Sequence, residues 1–193
     1  MYRETTKKDH AKYRMVEAIG KCMEHYPVES ITVDQIAREA GLSRQTFYRH
    51  FRDKYDLINW YFDKLLLESF DQMGSGRTVP EGLARKFAFI NAEHLFFYAA
   101  FKNDDQNNLK THDFEMIFDF YQKLIREKGG TLTDELKNLL EMYCQASVYM
   151  TVQWVLRKLN VTADELVGLM LDAMPEKIRL LFLELGILEE QGG

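Results

Sequence analysis

Apolar side chains recur along most of this chain at intervals of three and four residues, the spacing that places them on one face of an α-helix. Alternating patterns typical of strands are nearly absent. We therefore predict an all-α fold, with Pro80 and Gly82 in the loop before the fifth helix. The predicted helices cover residues 6–26, 31–40, 43–51, 53–72, 83–101, 112–128, 132–159, 163–173 and 176–185.

The second and third predicted helices meet at a tight bend. Thr32 is expected to begin the second helix with a capping box completed by Gln35, and Ser43 to cap the third. Between them, Gly41 can take the left-handed backbone conformation that ends many helices. Two short helices joined in this way are typical of a helix-turn-helix.

The helix after the bend has a polar outer face. Phe47 and Phe51, four residues apart, are expected to point inward. Arg and Gln can form paired hydrogen bonds with guanine and adenine edges, Thr can contact thymine, and Tyr and His suit phosphate oxygens. The pattern therefore predicts a helix that enters the major groove of DNA. The remaining surface carries Arg44, Gln45, Thr46, Tyr48, Arg49 and Arg52.

The net charge of -5 is unevenly distributed along the chain. Residues 1–55 hold 11 Lys and Arg against 8 Asp and Glu, whereas residues 56–193 hold 14 against 22. A basic balance confined to the N-terminal part suits a small module that faces phosphates. Lys54 follows Asp53, the expected cap of the fourth helix, so its cation opposes the helix dipole; this indicates an anion bound there.

The run ITVDQIAREAGLSRQTFYRHFRDKYDL, at residues 31–57, closely resembles the DNA-binding signature of the TetR/AcrR family of bacterial regulators. The resemblance implies that Thr32 caps the second helix at the phosphate backbone, while Arg49 is assigned to the DNA-binding surface because it lies on the polar face of the third helix. It also implies two sets of contacts along the recognition helix. Arg44, Gln45 and Thr46 approach the bases, while Tyr48, His50 and Lys54 contact phosphates.

The segment VQWVLRKLNVTADELVGLMLDAMPEKI, at residues 152–178, resembles the terminal segment of a subgroup containing regulators of dihydroxyacetone-kinase operons. This resemblance implies dimerisation through the long helix that holds Trp154 and through the helices after Thr162. These helices carry more apolar surface than one small body needs, so we expect a two-fold homodimer. The residues assigned to the dimer contact are Tyr143, Met150, Trp154, Ile178, Leu181, Phe182 and Leu185.

These patterns predict three parts. Residues 1–52 form the helix-turn-helix domain, 53–72 a connector helix, and 73–193 a helical domain for effector sensing and dimerisation. We expect a repressor that an effector releases from a near-palindromic double-stranded operator; an activator, or an adaptor whose C-terminal domain binds a partner protein, is the alternative. An aromatic cluster can either line a ligand cavity or fill the core. Its members are Phe96, Phe97, Tyr98, Phe101, Phe114, Phe118 and Tyr121.

Other classes of function find little support in the sequence. Phosphate-binding loops, nucleophile elbows and His-Glu metal motifs are missing, so we expect no catalysis and no cofactor. Cys22 and Cys144 are too far apart in sequence to indicate a disulfide framework or a zinc site. No apolar run reaches the roughly 20 residues of a membrane span, and we expect a cytoplasmic protein. Its expected partners are operator DNA, a second copy and an unknown small-molecule or protein effector.

Overall fold

A computed structural model describes residues 7–71, 73, 76–102 and 108–189. Within these ranges the chain is helical and has no strand, so the predicted all-α class is confirmed. A short 3-10 helix, Val28–Ser30, precedes the second helix. The helices are α1 (Lys7–Met23), α2 (Val33–Glu39), α3 (Arg44–Tyr48), α4 (Lys54–Phe70), α5 (Val79–Ala92), α6 (His94–Lys102), α7 (Leu109–Glu127), α8 (Asp134–Val155), α9 (Ala163–Asp172) and α10 (Glu176–Glu184).

Helices α1, α2 and α3 form a three-helix unit, because each presents an apolar stripe to the others. Ile19 of α1, Ile36 of α2 and Phe47 of α3 are fully buried. Helix α2 packs against both α1 and α3, and α4 packs against α1. This unit fixes the position of α3 and leaves its polar side toward solvent.

Helix α4 connects this unit to the C-terminal body. Asp53 begins it as predicted, since its Oδ1 accepts hydrogen bonds from the backbone amides of Tyr55 and Asp56 at 2.8 and 2.9 Å. Farther along, α4 packs against α5 and α7. The ring of Phe62 meets that of Phe97 edge-on, with centroids 5.9 Å apart. Helix α4 therefore contacts both parts of the molecule.

The body is built around α5, α7 and α8, with α9 packed against α5 and α10 against α8. Large fully buried side chains from three helices fill its centre, among them Phe87, Tyr121 and Phe182. The rings of Tyr121 and Phe182 lie 5.3 Å apart, which ties α7 to α10. No helix in the described part of the chain is long and apolar enough to cross a bilayer.

The predicted fifth helix is wrong in two respects. It begins at Val79 rather than at 83, because Thr78 and Glu81 form a capping box and Pro80 is tolerated in the first turn. It also ends at Ala92, and α6 begins at His94 after one turn residue. Gly82 is buried inside α5, where a β-carbon would collide with Cε of Met73.

Other helix ends also differ from their predicted positions, and α1 ends at Met23 rather than at 26. Helix α7 begins at Leu109 rather than at 112, and α8 ends at Val155 rather than at 159. Arg157 takes a left-handed conformation with φ of 58°, which stops the helical path after α8. The predicted helix ends at Thr6 and Gln72 lie outside the described residues.

Candidate nucleic-acid interface

The turn between α2 and α3 is closed by backbone hydrogen bonds. Gly41 has a φ of +62°, the left-handed conformation expected from the sequence. The amide of Leu42 donates to the carbonyl of Ala37 at 2.8 Å, and that of Gly41 donates to the carbonyl of Arg38 at 3.0 Å. This pair of bonds is a Schellman motif, which ends α2 and fixes the direction in which α3 begins.

Helix α1 braces the same turn. The guanidinium of Arg14 donates to the backbone carbonyl of Ala40. A β-carbon at Gly41 would lie 2.9 Å from Nη2 of Arg14, whose flexible side chain can shift, so the positive φ is the main reason for glycine here. No local sequence pattern indicates this role of Arg14, because its contact with Ala40 spans 26 residues.

Both helices of the motif carry the predicted caps. Thr32 Oγ1 accepts from the amide of Gln35 at 3.2 Å, while the Gln35 side chain accepts from the amide of Thr32 at 2.7 Å. Ser43 Oγ accepts from the amide of Thr46 at 3.1 Å. Phe47 is fully buried beneath α3. The short recognition helix is therefore held by a cap at its start and an aromatic anchor in its middle.

Helix α3 is shorter than predicted, since it ends at Tyr48 rather than at Phe51. Arg49 is its C-cap, and the amide of His50 donates to the carbonyl of Phe47 at 2.9 Å in a tighter turn. The chain must become extended by Asp53 to begin α4, which leaves no room for another helical turn.

The predicted DNA-binding residues differ in exposure. Arg44 is held by Asp34 of α2 through two contacts, Nε to Oδ1 at 2.9 Å and Nη1 to Oδ2 at 3.2 Å. Its guanidinium also lies 6.0 Å from the ring centroid of Tyr48. Thr32, Arg44, Gln45, Tyr48 and Arg49 are exposed, whereas Thr46, His50 and Lys54 are half-buried.

Gln45 and Thr46 differ in how far their side chains are already engaged. Gln45 forms no side-chain hydrogen bond with the described residues. The Thr46 hydroxyl lies 2.9 Å from Ser43 Oγ and accepts from Arg49 Nη2 at 3.3 Å. Gln45 thus offers both its amide donor and its acceptor to a ligand, while Thr46 offers a partly satisfied hydroxyl.

Lys54 has structural partners that its position in the sequence does not indicate. Its ammonium donates to the backbone carbonyls of Glu29 and Ile31, at 2.6 and 2.8 Å. Burial lowers the pKa of Lys54, against the opposing charges of Glu29 and Asp53. The two carbonyls hold the Lys54 ammonium inside the protein, and an anion bound at this helix start stays a prediction.

Several residues assigned to the dimer contact lie inside a single chain. Tyr143, Ile178 and Phe182 are buried in the body, so that assignment is corrected for these three. Trp154 donates from Nε1 to the carbonyl of Val161 at 3.0 Å and meets the ring of Phe87 edge-on, which makes it an internal anchor. The other three are half-buried, namely Met150, Leu181 and Leu185.

The aromatic cluster of the body contributes to two small cavities. Tyr121 lines one cavity and Phe97 lines a second, and each has a volume of about 10 Å³, close to the space of a single water molecule. Phe96 and Phe101 are buried, and Tyr98, Phe114 and Phe118 are half-buried against the core. Only Tyr121 and Phe97 of the cluster thus border these cavities, and both cavities are too small for an organic ligand.

Two family models match separate parts of the chain. The model described as bacterial regulatory proteins, tetR family, matches residues 16–60. A second, described as a transcriptional regulator C-terminal region, matches residues 77–175. An HTH-type transcriptional regulator of Staphylococcus aureus strain USA300 is 24% identical over 154 residues, which cover 72% of this chain and 80% of that protein.

Solved structures share the fold. The dihydroxyacetone kinase operon activator DhaS has a TM-score of 0.64 and 19% identity, covering 93% of this chain and 98% of that one. Thermus thermophilus FadR, a TetR family transcriptional repressor in complex with lauroyl-CoA, has a TM-score of 0.53 and 19% identity, covering 94% and 97%. The C-terminal model spans half of the chain, and the tetR model covers its helix-turn-helix. This protein therefore belongs to the TetR family and is a DNA-binding transcriptional regulator rather than an enzyme.

Proposed function

We propose that this regulator binds a near-palindromic operator as a homodimer and represses transcription until an effector in its C-terminal body releases it. One observation supports operator reading above the others. Helix α3 is fixed from below by buried Phe47 and presents exposed Gln45, whose amide forms no side-chain hydrogen bond with the described residues. Such a side chain can pair with an adenine edge in the major groove.

The proposed DNA contacts fall into two groups. Arg44, Gln45 and Thr46 read base edges, and Arg44 must exchange its Asp34 contact for a guanine to do so. The remaining residues position the motif on the phosphate backbone, which adds affinity without sequence information. They are Thr32, Tyr48, Arg49, His50 and Lys54. The Lys54 ammonium can donate only one N–H to a phosphate, because its other two bind the carbonyls of Glu29 and Ile31.

A second copy is the proposed occupant of an exposed apolar face on α8 and α10. Met142, Tyr149 and Leu180 are 68%, 61% and 55% exposed, which is unusual for side chains of this size. Met142 and Tyr149 lie seven residues apart on one stripe of α8. The ion pair between Lys177 and Glu135 joins α10 to α8 beside this stripe. Family members form dimers, and we propose that this apolar face is the contact with the second copy.

Effector binding is proposed to act through α4. The residue ranges proposed for this mechanism are 1–52 for DNA binding, 53–72 for the connector and 73–193 for sensing and dimerisation. His112 of α7 contacts Asp63 of α4, so a shift of α7 in the body is passed to the connector. Tilting α4 in both copies would change the distance between the two recognition helices and break one of their half-site contacts.

A mobility-shift assay on the DNA upstream of the protein's own gene tests operator binding. We expect a shifted band whose affinity falls steeply with salt, because bound cations release counterions from the phosphates. Binding that is indifferent to both sequence and salt would refute the proposal.

Activation is the second candidate, because the structural neighbour DhaS is described as an operon activator whereas Thermus thermophilus FadR is described as a repressor. A helix-turn-helix binds DNA equally well in either mode. A reporter fused to the bound promoter, measured with and without the regulator gene, decides the sign. Higher expression in the deletion strain supports repression, and lower expression supports activation. An adaptor function would require a partner protein to bind the body and leave reporter output insensitive to small molecules.

A further inference from the structure

The turn between α2 and α3 is connected to α1 by the side chain of Arg14. Its Nη2 donates to the backbone carbonyls of Ala40 and Gly41, and the second of these bonds is 3.3 Å long. The last carbonyls of a helix have no partner inside that helix and must find one elsewhere. The Schellman bonds of the turn use the carbonyls of Ala37 and Arg38, so Arg14 supplies the donor for the two carbonyls that follow α2.

Helix α1 gives this side chain a rigid support. Met15, next to Arg14, and Ile19, a little more than one turn farther on, are both fully buried. The helix packs against α2 and also against α4 and α6. Because these contacts fix α1, the point from which Arg14 reaches the turn is fixed relative to the connector helix and the body as well.

Helix α3 depends on this turn for its direction. It has only five residues, Arg44–Tyr48, and among them Phe47 is the buried anchor. A single aromatic ring fixes the depth of a short helix but lets the helix pivot about the ring. The tilt of α3 is therefore set where the helix begins, at the turn. Paired hydrogen bonds to base edges depend on this tilt, because they weaken steeply when donor and acceptor are misaligned.

We propose that Arg14 is a positioning residue for operator recognition, which fixes the tilt of α3 by holding the turn and so contributes to sequence discrimination. The inference rests on the proposed function, in which α3 reads base edges. Contacts with phosphates tolerate a tilted helix, because electrostatic attraction has little directional requirement, whereas base contacts do not. Loss of Arg14 therefore weakens binding to the operator and leaves binding to unrelated DNA nearly unchanged.

Binding of the full chain to two duplexes tests the proposal. The probes are the DNA upstream of the protein's own gene and a duplex of the same length and base composition in scrambled order. For Arg14→Met we expect about tenfold weaker binding to the upstream DNA, the loss expected from one misaligned base contact, and binding to the scrambled duplex within about twofold of the wild-type value. Arg14→Lys should lie between the wild type and Arg14→Met, because an ammonium can still donate to one carbonyl; it also carries the comparison if Arg14→Met fails to fold.

Lys21→Met is the matched control. Lys21 also lies on α1 and pairs with Glu39 at the end of α2 at 3.0 Å, so this variant removes a cation and a contact between the same two helices without reaching the turn. We expect its ratio of affinities for the two duplexes to equal that of the wild type. Amide hydrogen exchange supplies a measurement without DNA. The amides of Gly41 and Leu42, which close the turn, should exchange about tenfold faster in Arg14→Met and at the wild-type rate in Lys21→Met.

Three results would overturn the proposal while the wild-type chain still prefers the upstream DNA. Equal losses on both duplexes, with a salt slope lowered by about one, would mean that Arg14 contacts phosphate directly. Equal losses that follow a fall in unfolding free energy would mean that Arg14 only stabilises the fold. An unchanged ratio of affinities in Arg14→Met would leave the residue without a role in discrimination. If the wild-type chain itself does not distinguish the two duplexes, the proposed function fails and this inference fails with it.

Discussion

On α3, the adjacent side chains of Arg44 and Gln45 differ in what DNA must displace. The Arg44 guanidinium is held by two contacts to Asp34, whereas the Gln45 amide has no such partner among the described residues. Base reading by Arg44 must therefore compete with an internal ion pair. Gln45 carries the clearer prediction for sequence preference.

Replacing Gln45 by Ala should change which base is preferred at one position of each half-site. The loss is about 1 to 3 kcal/mol for the preferred base and close to zero for the others, because only the paired hydrogen bonds disappear. Competition binding with operators altered at single positions measures it. An unchanged order of preference would remove Gln45 from the base-reading set.

Lys54→Met should destabilise the helix-turn-helix more than it changes DNA binding. The variant loses two charge-assisted bonds to the carbonyls of Glu29 and Ile31, worth about 1 to 2 kcal/mol of unfolding free energy. Chemical denaturation measures this loss, with Arg52→Met as the control for removing an exposed cation. Unaltered stability together with a salt slope lowered by about one would mean that Lys54 contacts phosphate instead.

The roles of such residues could be predicted only in part from the sequence. The caps of α2 and α3 were predictable because Thr32 and Ser43 act within three residues of their own positions. The Lys54 contacts span 25 and 23 residues, and the Lys86 contact with Asp113 spans 27. Tertiary contacts of this kind leave no period in the sequence, so they became visible only in the folded chain.

Among the helices, the predicted starts and ends were correct where the apolar period and a capping residue mark the same position. They were wrong where the two mark different positions. Helix α4 begins after Asp53 as predicted, because both its cap and its periodicity mark that point. At α5 the period continues into α6, yet Glu93 takes a non-helical conformation with ψ of 30° and divides them. The predicted start of α5 at residue 83 also placed Pro80 in a loop, although proline is compatible with a first helical turn.

The contact between α4 and α7 gives the body a pH-dependent link to the connector. The hydrogen bond to Asp63 raises the pKa of His112, against a smaller lowering by burial. A histidine whose pKa is higher in the folded state stabilises that state most below its unfolded value of about 6.5. This stabilisation is lost as the pH rises through the folded pKa.

A double-mutant cycle with His112→Gln and Asp63→Asn should therefore give a coupling free energy that is largest near pH 5.5, about one unit below the unfolded pKa, and declines toward about pH 8. The unfolding free energies of the four proteins at each pH supply the measurement. A coupling that is constant across this range would mean that the contact does not depend on the charge of His112.

For the whole molecule, burial changes which side chains can form the dimer. Tyr143, Ile178 and Phe182 fill the interior of one chain and cannot contact a second copy. The proposed dimer surface is therefore formed by other apolar side chains, which the apolar period alone could not distinguish from core residues. Periodicity identifies an apolar stripe, but two stripes on one helix can face the protomer and a partner. Met142 and Tyr149 mark the outer stripe of α8.

The wild-type chain should sediment at micromolar concentration with about twice its mass of 22.8 kDa. Tyr149→Arg with Leu180→Arg should yield a monomer that has lost operator affinity, because each recognition helix then binds a half-site alone. Leu67→Arg with Leu95→Arg is the control, since these side chains are similarly exposed on α4 and α6. Dimers in the first variant would place the interface elsewhere.

Selection from a random library of double-stranded DNA with the wild-type chain tests operator recognition most directly. Two copies related by a two-fold axis should enrich a near-palindrome whose half-site centres lie roughly 34 to 36 Å apart, or somewhat farther for a wider operator. An enriched motif with that symmetry is the predicted result. The absence of any enriched sequence, or a single unrepeated motif bound tightly by a monomer, would contradict the account.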